Sequence, residues 1–154
     1  MIENTKFSEG SEKDEIFRLC DLIREVSFAI HRYLHNGHPE KIYENALAHR
    51  LRNQGIKLMQ QHPIKVYDED GTLLGSFSVD LFVEDKLIVE LKACDTLVSN
   101  HKAQVQGYLR AARIEHGLLI NFGAHKLEIK KLYQSPEPRL FFLFVSFCPF
   151  CFQS

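Results

Sequence analysis

The chain has 154 residues, of which 45% are hydrophobic and 25% charged, and its formal net charge at pH 7 is −1. This composition is ordinary for one globular domain, and it excludes a disordered chain, a collagen-like chain and a strongly basic nucleic-acid-binding domain. The charge is unevenly placed, because residues 101–139 hold seven bases and three acids. Any contact with a polyanion is therefore expected to be local and to involve this later part of the chain.

The cysteines and the apolar runs indicate a cytoplasmic protein. The four cysteines have no disulfide-framework spacing, and the acidic N-terminal region has no apolar stretch like a secretory signal. The apolar run at residues 140–152 is shorter than the ~20 residues that a membrane helix needs. We therefore expect a protein that does not insert into membranes.

Hydrophobic periodicity predicts two N-terminal helices followed by a β-rich region. Apolar residues recur at helical spacing over residues 11–34, and a second helix is predicted between Pro39 and Gly55, with Tyr43 as a core residue. The period then changes to two, and strands are predicted at residues 64–66, 73–83, 87–92, 116–121 and 127–132. Ser99 or Asn100 is predicted to cap a third helix that ends near Arg113.

The predicted order is α-α-β-β-β-α-β-β, which defines an α/β protein. We expect residues 1–10 to be a flexible N-terminus and residues 11–133 to form a single domain. Residues 134–154 are an apolar tail of unknown role, for which three alternatives stay open: an added edge strand, a cover for an apolar surface, or a contact for self-association.

Two acidic residues lie within adjacent apolar strands. Asp80 follows Ser-Val and precedes Leu-Phe-Val, and Glu90 lies in Ile-Val-Glu-Leu-Lys. A tight turn at residues 84–86 would make the two strands pair antiparallel and would bring both carboxylates level. Because a buried carboxylate is costly unless it is paired or bound to a cation, the pattern favours a site for one hard divalent cation.

Lys92 is two residues after Glu90, so the strand period places both side chains on one face. An ammonium group beside a metal site suits phosphodiester hydrolysis, because it can orient a water molecule or stabilise the negative charge that develops. The alternative is structural: Asp80 ends its strand exposed to solvent, and Glu90 forms a surface ion pair with Lys92.

Several runs together resemble the GxxExxY protein family. They are residues 37–43, with the sequence Gly-His-Pro-Glu-Lys-Ile-Tyr, and residues 80–83, 88–93, 101–109 and 117–123. That family is placed in the PD-(D/E)XK nuclease-like superfamily, and the element Gln104-x-x-x-Tyr108 is similar to one in its RecB-type branch. The resemblance implies a PD-(D/E)XK (restriction-endonuclease-like) core, with a mixed central sheet flanked by helices.

The resemblance also implies the roles of individual residues. Asp80 and Glu90 would hold Mg²⁺ or Mn²⁺, the carbonyl of Leu91 would add a ligand, and Lys92 would be the catalytic lysine. Glu40 would be the helix-borne acid that completes the metal site.

Neighbouring residues leave some assignments open. Glu44 is four residues after Glu40 on the same helical face, so it is either a substitute for Glu40 or exposed to solvent. Gln104 and Tyr108 share one face of the third helix, where they would contact nucleic acid, and His101 lies one turn before them.

The leading hypothesis is a divalent-metal-dependent nuclease that hydrolyses DNA phosphodiester bonds and is structure-dependent or non-specific in sequence. RNA stays open as a substrate, and the tail is compatible with a homo-oligomer. The alternatives are an inactive or weakly active nuclease-fold module that binds nucleic acid or a protein partner, and an interaction protein that dimerises through its tail.

Overall fold

The computed structural model describes residues 6–135, and it describes side chains from residue 12 onward. Three helices and five strands follow one another in the predicted order. The helices are α1 (Lys6–Leu34), α2 (Glu40–Asn53) and α3 (Ser99–Ala112), and the strands are β1 (Leu58–Tyr67), β2 (Leu73–Val83), β3 (Leu87–Lys92), β4 (His116–Asn121) and β5 (Glu128–Tyr133).

The five strands form one mixed sheet in the order β1-β2-β3-β4-β5. Neighbouring strands pair antiparallel except β3 and β4, which are parallel because α3 crosses between them. The predicted antiparallel pairing of β2 with β3 is confirmed. The turn between them places Glu84 and Asp85 in the left-handed region, with φ of 51° and 56°.

The sheet has a hydrophobic core on each face. One core lies between the sheet and the first two helices, and it includes Ile23, Leu47 and Leu118. The other lies under α3, around Val105 and Leu109. Because helices cover both faces, β3 and β4 are buried along almost their whole lengths, and any polar side chain within them is held out of bulk water.

Two helix starts differ from the sequence expectation. α1 begins at Lys6 rather than near Ser11. The first residue of this helix in the described core is Ile16, so the turns before it carry no apolar period from which the start could be predicted. The N-cap of α3 is Val98 rather than Ser99 or Asn100. In place of a hydroxyl or amide cap, the Nδ1 atom of His101 accepts a hydrogen bond of 3.3 Å from the backbone N–H of Val98.

The predicted roles of the chain ends lie largely beyond the described part of the chain. Residues 1–5 and 136–154, which include most of the predicted apolar tail, lie outside the described residues. Within the part that is described, none of the helices combines the length and apolar character needed to cross a membrane.

Candidate active site

Asp80 and Glu90 meet where β2 and β3 separate. The pairing of these strands runs from Val83 with Leu87 to Leu81 with Val89, so the two acids are the next residue of each strand. Asp80 is 9% exposed and Glu90 is 4% exposed. The alternative in which Asp80 ends its strand in solvent is therefore wrong, because β2 continues through Asp80 and the neighbouring strands cover it.

Both oxygens of Asp80 accept hydrogen bonds. The backbone N–H of Leu91 donates to Oδ2 at 2.8 Å, and the side-chain amide of Gln61 donates to Oδ1 at 3.1 Å. Burial raises the pKa of Asp80, although these two hydrogen bonds oppose the shift. The side chain of Leu91 is buried in the core, and the role of its carbonyl as a ligand stays a prediction.

Glu90 is the least well satisfied of the carboxylates. Its Oε1 accepts a hydrogen bond of 2.9 Å from the Lys92 ammonium, whereas its Oε2 has no hydrogen-bond partner among the described residues. Burial, followed by the nearby charge of Asp80, raises the pKa of Glu90 to about 7. A buried carboxylate oxygen without a partner is costly, so a ligand at this atom would stabilise the charged form.

The Lys92 ammonium bonds to Glu90 and is also under the influence of the charges of Asp80 and of Glu40, the first residue of α2. Burial lowers its pKa, but Glu90, Glu40 and Asp80 all raise it, and the net pKa is above the ordinary lysine value. The Lys92 side chain is 16% exposed and that of Glu90 is 6% exposed, so this is a buried pair rather than the surface ion pair of the structural alternative. Lys92 is therefore a cation at neutral pH.

Both acids of α2 lie near the strand carboxylates, but they differ in environment. Glu40 is half-buried, and burial raises its pKa while the Lys92 ammonium lowers it. Glu44 is 2% exposed, so its predicted alternative of solvent exposure is wrong. Its carboxylate accepts hydrogen bonds from Lys41 at 2.7 Å, from Gln60 at 2.9 Å and from Gln61 at 2.9 Å.

Gln60 and Gln61 are site residues that the sequence reasoning missed. Consecutive strand residues normally point to opposite faces, yet both of these amides reach Glu44. Gln61 has φ of 50°, and this left-handed residue interrupts the alternation of β1 directly opposite Asp80. The signal in the sequence was the polar run Gln60-Gln61-His62 inside β1, which breaks any apolar–polar alternation.

The predicted nucleic-acid contacts on α3 lie close to the carboxylates. Gln104 donates a hydrogen bond of 2.6 Å to the Tyr108 hydroxyl, and the Tyr108 ring stacks on Phe77 with centroids 4.1 Å apart. Burial, followed by the nearby charge of Glu90, raises the pKa of Tyr108. His101 instead caps α3, as described above.

The residues present fit a divalent cation. Carboxylate oxygens are the ligands that Mg²⁺ and Mn²⁺ prefer, and the partnerless Oε2 of Glu90 offers one of them beside Asp80. Over the described residues, however, no three His, Cys, Asp or Glu side chains already surround a common point. The Lys92 ammonium, the Gln61 amide and the backbone N–H of Leu91 each donate to one of the other oxygens, so a bound cation would share those oxygens with these donors.

Two hollows in the described part of the chain lie away from the carboxylates. They have volumes of about 440 and 510 Å³, and neither is lined by Asp80, Glu90 or Lys92. One is bordered by residues such as Lys13 and Arg113, and the other by residues such as Phe28 and His125. We place the chemistry at the carboxylates and not at these hollows, because neither hollow contains a comparable group of buried charges.

Comparisons with known proteins identify the class. A family model described as the PD-(D/E)XK nuclease superfamily matches residues 18–132. This match spans most of the chain, and the chain belongs to the PD-(D/E)XK nuclease superfamily. Nucleases of this superfamily generally use divalent metal ions.

A solved structure supports the fold. The structure titled "Crystal structure of SSO0001" aligns with a TM-score of 0.50 and 16% identity, covering 61% of this chain and 49% of that chain. The aligned part thus spans about half the length of that structure's chain. At this identity the likeness shows the fold alone, and it confirms the predicted mixed sheet flanked by helices. A search of curated proteins finds no significant match.

Proposed function

We propose that the protein is a divalent-metal-dependent nuclease that hydrolyses DNA phosphodiester bonds. The observation that carries the proposal is the partnerless Oε2 of buried Glu90, next to buried Asp80 and within a pair with the Lys92 ammonium. If Glu90 and Lys92 were only a structural ion pair, the buried carboxylate of Asp80 beside them would add no stability, because burial raises its pKa and disfavours its charged form. A cation-binding site requires such a group.

Asp80 and Glu90 would hold Mg²⁺ or Mn²⁺, with the carbonyl of Leu91 and the carboxylate of Glu40 as further ligands. When bound, the cation lowers the pKa of a coordinated water and neutralises charge on the phosphate. The protein contributes the fixed positions of these oxygens, since β2, β3 and α2 are each packed against the core.

Lys92 has the position and the charge of an electrostatic catalyst. Its ammonium is largely buried beside acids and stays protonated, so it can donate hydrogen bonds to an attacking water or to a phosphate oxygen. As negative charge develops on the phosphate, the ammonium stabilises the transition state more than the ground state.

Gln104 and Tyr108 would contact the nucleic acid beside the scissile phosphate. Their amide and hydroxyl groups are suited to phosphate oxygens and do not by themselves define a base-reading element. We therefore propose action that depends on nucleic-acid structure or is non-specific in sequence. The motifs that resemble the GxxExxY family and the RecB-type branch support DNA as the substrate. We also propose that residues 11–133 form the nuclease domain and that the protein acts in the cytoplasm.

One observation favours a second candidate, a nuclease-fold module that binds nucleic acid or a protein without cleaving. The existing bonds of Asp80 and Glu90 leave no ready-made set of three ligands within residues 12–135. A binding module would need no metal and would tolerate loss of Lys92. Cleavage separates the two candidates.

The test uses end-labelled single-stranded, duplex and flapped DNA, and RNA, in Mn²⁺, Mg²⁺ or EDTA. Lys92→Met keeps most of the side-chain length and removes the charge, and we expect it to lower the cleavage rate by at least ~100-fold. The matched control is Lys86→Met, because Lys86 pairs with Glu15 on the surface. Equal cleavage by wild type and Lys92→Met, or no metal-dependent cleavage by wild type, would favour the binding module.

A further inference from the structure

We infer that Gln61 is a positioning residue that orients the Asp80 carboxylate for cation binding; this inference rests on the proposed function. The amide nitrogen of Gln61 lies 3.1 Å from Oδ1 of Asp80 and 2.9 Å from Oε2 of Glu44. A primary amide has two N–H groups, so it can donate one to each carboxylate. Gln61 therefore bridges the acid of β2 and the buried acid of α2.

The bridge fixes the rotation of the Asp80 carboxylate. The N–H of Leu91 already holds Oδ2, but the terminal torsion of an aspartate is soft and a single hydrogen bond leaves it free to rotate. The second bond, from Gln61 to Oδ1, removes that freedom. Each carboxylate oxygen has two acceptor sites, so Oδ1 can hold the Gln61 amide and still contact a cation.

Glu44 is a firm anchor for this amide. It is 2% exposed, and its other oxygen accepts hydrogen bonds from Lys41 and Gln60. With both oxygens engaged, the Glu44 carboxylate is held in place, and the Gln61 amide bonded to it is held in turn. This arrangement accounts for a buried carboxylate on α2 beside Asp80, whichever of Glu40 and Glu44 is the helix-borne ligand.

The backbone of Gln61 supports the same conclusion. A non-glycine residue in the left-handed region is strained, and Gln61 has φ of 50° inside a strand. It lies directly opposite Asp80, since Gln60 pairs with Leu81 and His62 pairs with Val79. This backbone conformation turns the Gln61 side chain back toward the two carboxylates. Glycine would adopt the same conformation without strain, so the presence of glutamine indicates that its amide is needed there.

The test is Gln61→Gly in the full-length protein. Glycine adopts this φ without strain, so the substitution removes the amide while leaving the turn of β1 intact. The control is Lys65→Gly, which puts a glycine at an exposed position of the same strand that pairs with Ser76. Mn²⁺ affinity is measured by isothermal titration calorimetry, and the melting temperature is measured in EDTA.

We expect Gln61→Gly to raise the Mn²⁺ dissociation constant about tenfold, as is usual when a hydrogen-bond partner of a ligating residue is lost. Its metal-free melting temperature should be no lower than that of Lys65→Gly. At saturating Mn²⁺ the kcat for DNA should return toward that of wild type, because occupancy and not chemistry is impaired. A role limited to folding would instead lower the metal-free melting temperature below that of Lys65→Gly.

Unchanged Mn²⁺ affinity in Gln61→Gly would overturn the inference while leaving the proposed function intact. An equal loss of affinity in Lys65→Gly would also overturn it, because the effect would then come from any glycine in β1. If wild type itself binds no Mn²⁺, the proposed function fails and the inference fails with it.

Discussion

Glu90 is a destabilising residue in the metal-free protein. It is buried, one of its oxygens has no partner among the described residues, and burial raises its pKa to about 7, from 4.5 for an ordinary glutamate. The folded state therefore holds a proton on Glu90 over a pH range in which the unfolded state has released it. Below pH ~4.5 Glu90 is protonated in both states. Between that pH and about 7 only the folded state keeps the proton, so the free energy of unfolding falls as the pH rises, and the loss is complete once the pH has passed through the folded pKa.

Glu90→Gln should therefore stabilise the protein increasingly as the pH rises. In EDTA we expect it to match wild type most closely near pH 4.5 and to exceed it at pH 8, by on the order of 2 kcal/mol in the free energy of unfolding. Urea denaturation of both proteins between pH 4.5 and 8 measures this difference. A difference that stays constant over that range would contradict the account of Glu90.

Single-residue chemistry was only partly predictable from the sequence. Acids inside apolar strands, with a lysine two residues on, are visible as exceptions to a hydrophobic pattern, so Asp80, Glu90 and Lys92 could be placed together. Gln61 could not be placed, because its contact depends on a left-handed backbone that glutamine does not favour. Likewise, the burial of Glu44 depends on the packing of α2 over β1, and α2 alone does not reveal it.

At the level of elements, hydrogen bonds with the last residue of β4, Asn121, hold Cys94 in the segment that follows β3. The Asn121 side chain accepts hydrogen bonds from the N–H groups of Cys94 and Gly123, and it donates to the carbonyl of Cys94. A Cβ atom at Gly123 would lie 2.3 Å from the backbone nitrogen of Cys94. The close approach of these two segments holds the C-terminal end of β3, where Lys92 lies.

Gly123→Ala should be destabilising by about 1–3 kcal/mol, because the added methyl group overlaps backbone atoms that cannot move independently. The matched variant is Gly107→Ala: that glycine is inside α3 with open space around its Cβ position, so alanine should stabilise by roughly 0.5–1 kcal/mol. Urea denaturation at one pH compares the two. If Gly123→Ala were as stable as wild type, this packing account would be wrong.

The order and type of the elements followed from hydrophobic periodicity, since each face of the sheet and each helix buries a regular apolar set. Element ends were less predictable, because they depend on local hydrogen bonds. The cap of α3 comes from the ring of His101, which the sequence suggested as a neighbour of the nucleic-acid contacts. The early start of α1 has no apolar signal, because its first turns precede the core.

At the scale of the whole molecule, the site is formed by elements from both sides of the sheet. α2 brings Glu40 and Glu44 from one face, and β2 and β3 supply the central acids, while α3 on the other face carries Gln104 and Tyr108, the proposed nucleic-acid contacts. The arrangement exists only in the folded chain. A cation that binds it should therefore stabilise the whole domain by about 2.7 kcal/mol at a hundred times its dissociation constant.

The most direct test of this account is calorimetric titration of Mn²⁺ into wild type, Asp80→Asn and Asp70→Asn. Asp70 is in the exposed turn between β1 and β2, so Asp70→Asn makes the same chemical change away from the site. The account predicts that wild type and Asp70→Asn bind Mn²⁺ with equal affinity and that Asp80→Asn loses the binding. Unchanged binding by Asp80→Asn would contradict the account, because the cation would then be held somewhere else.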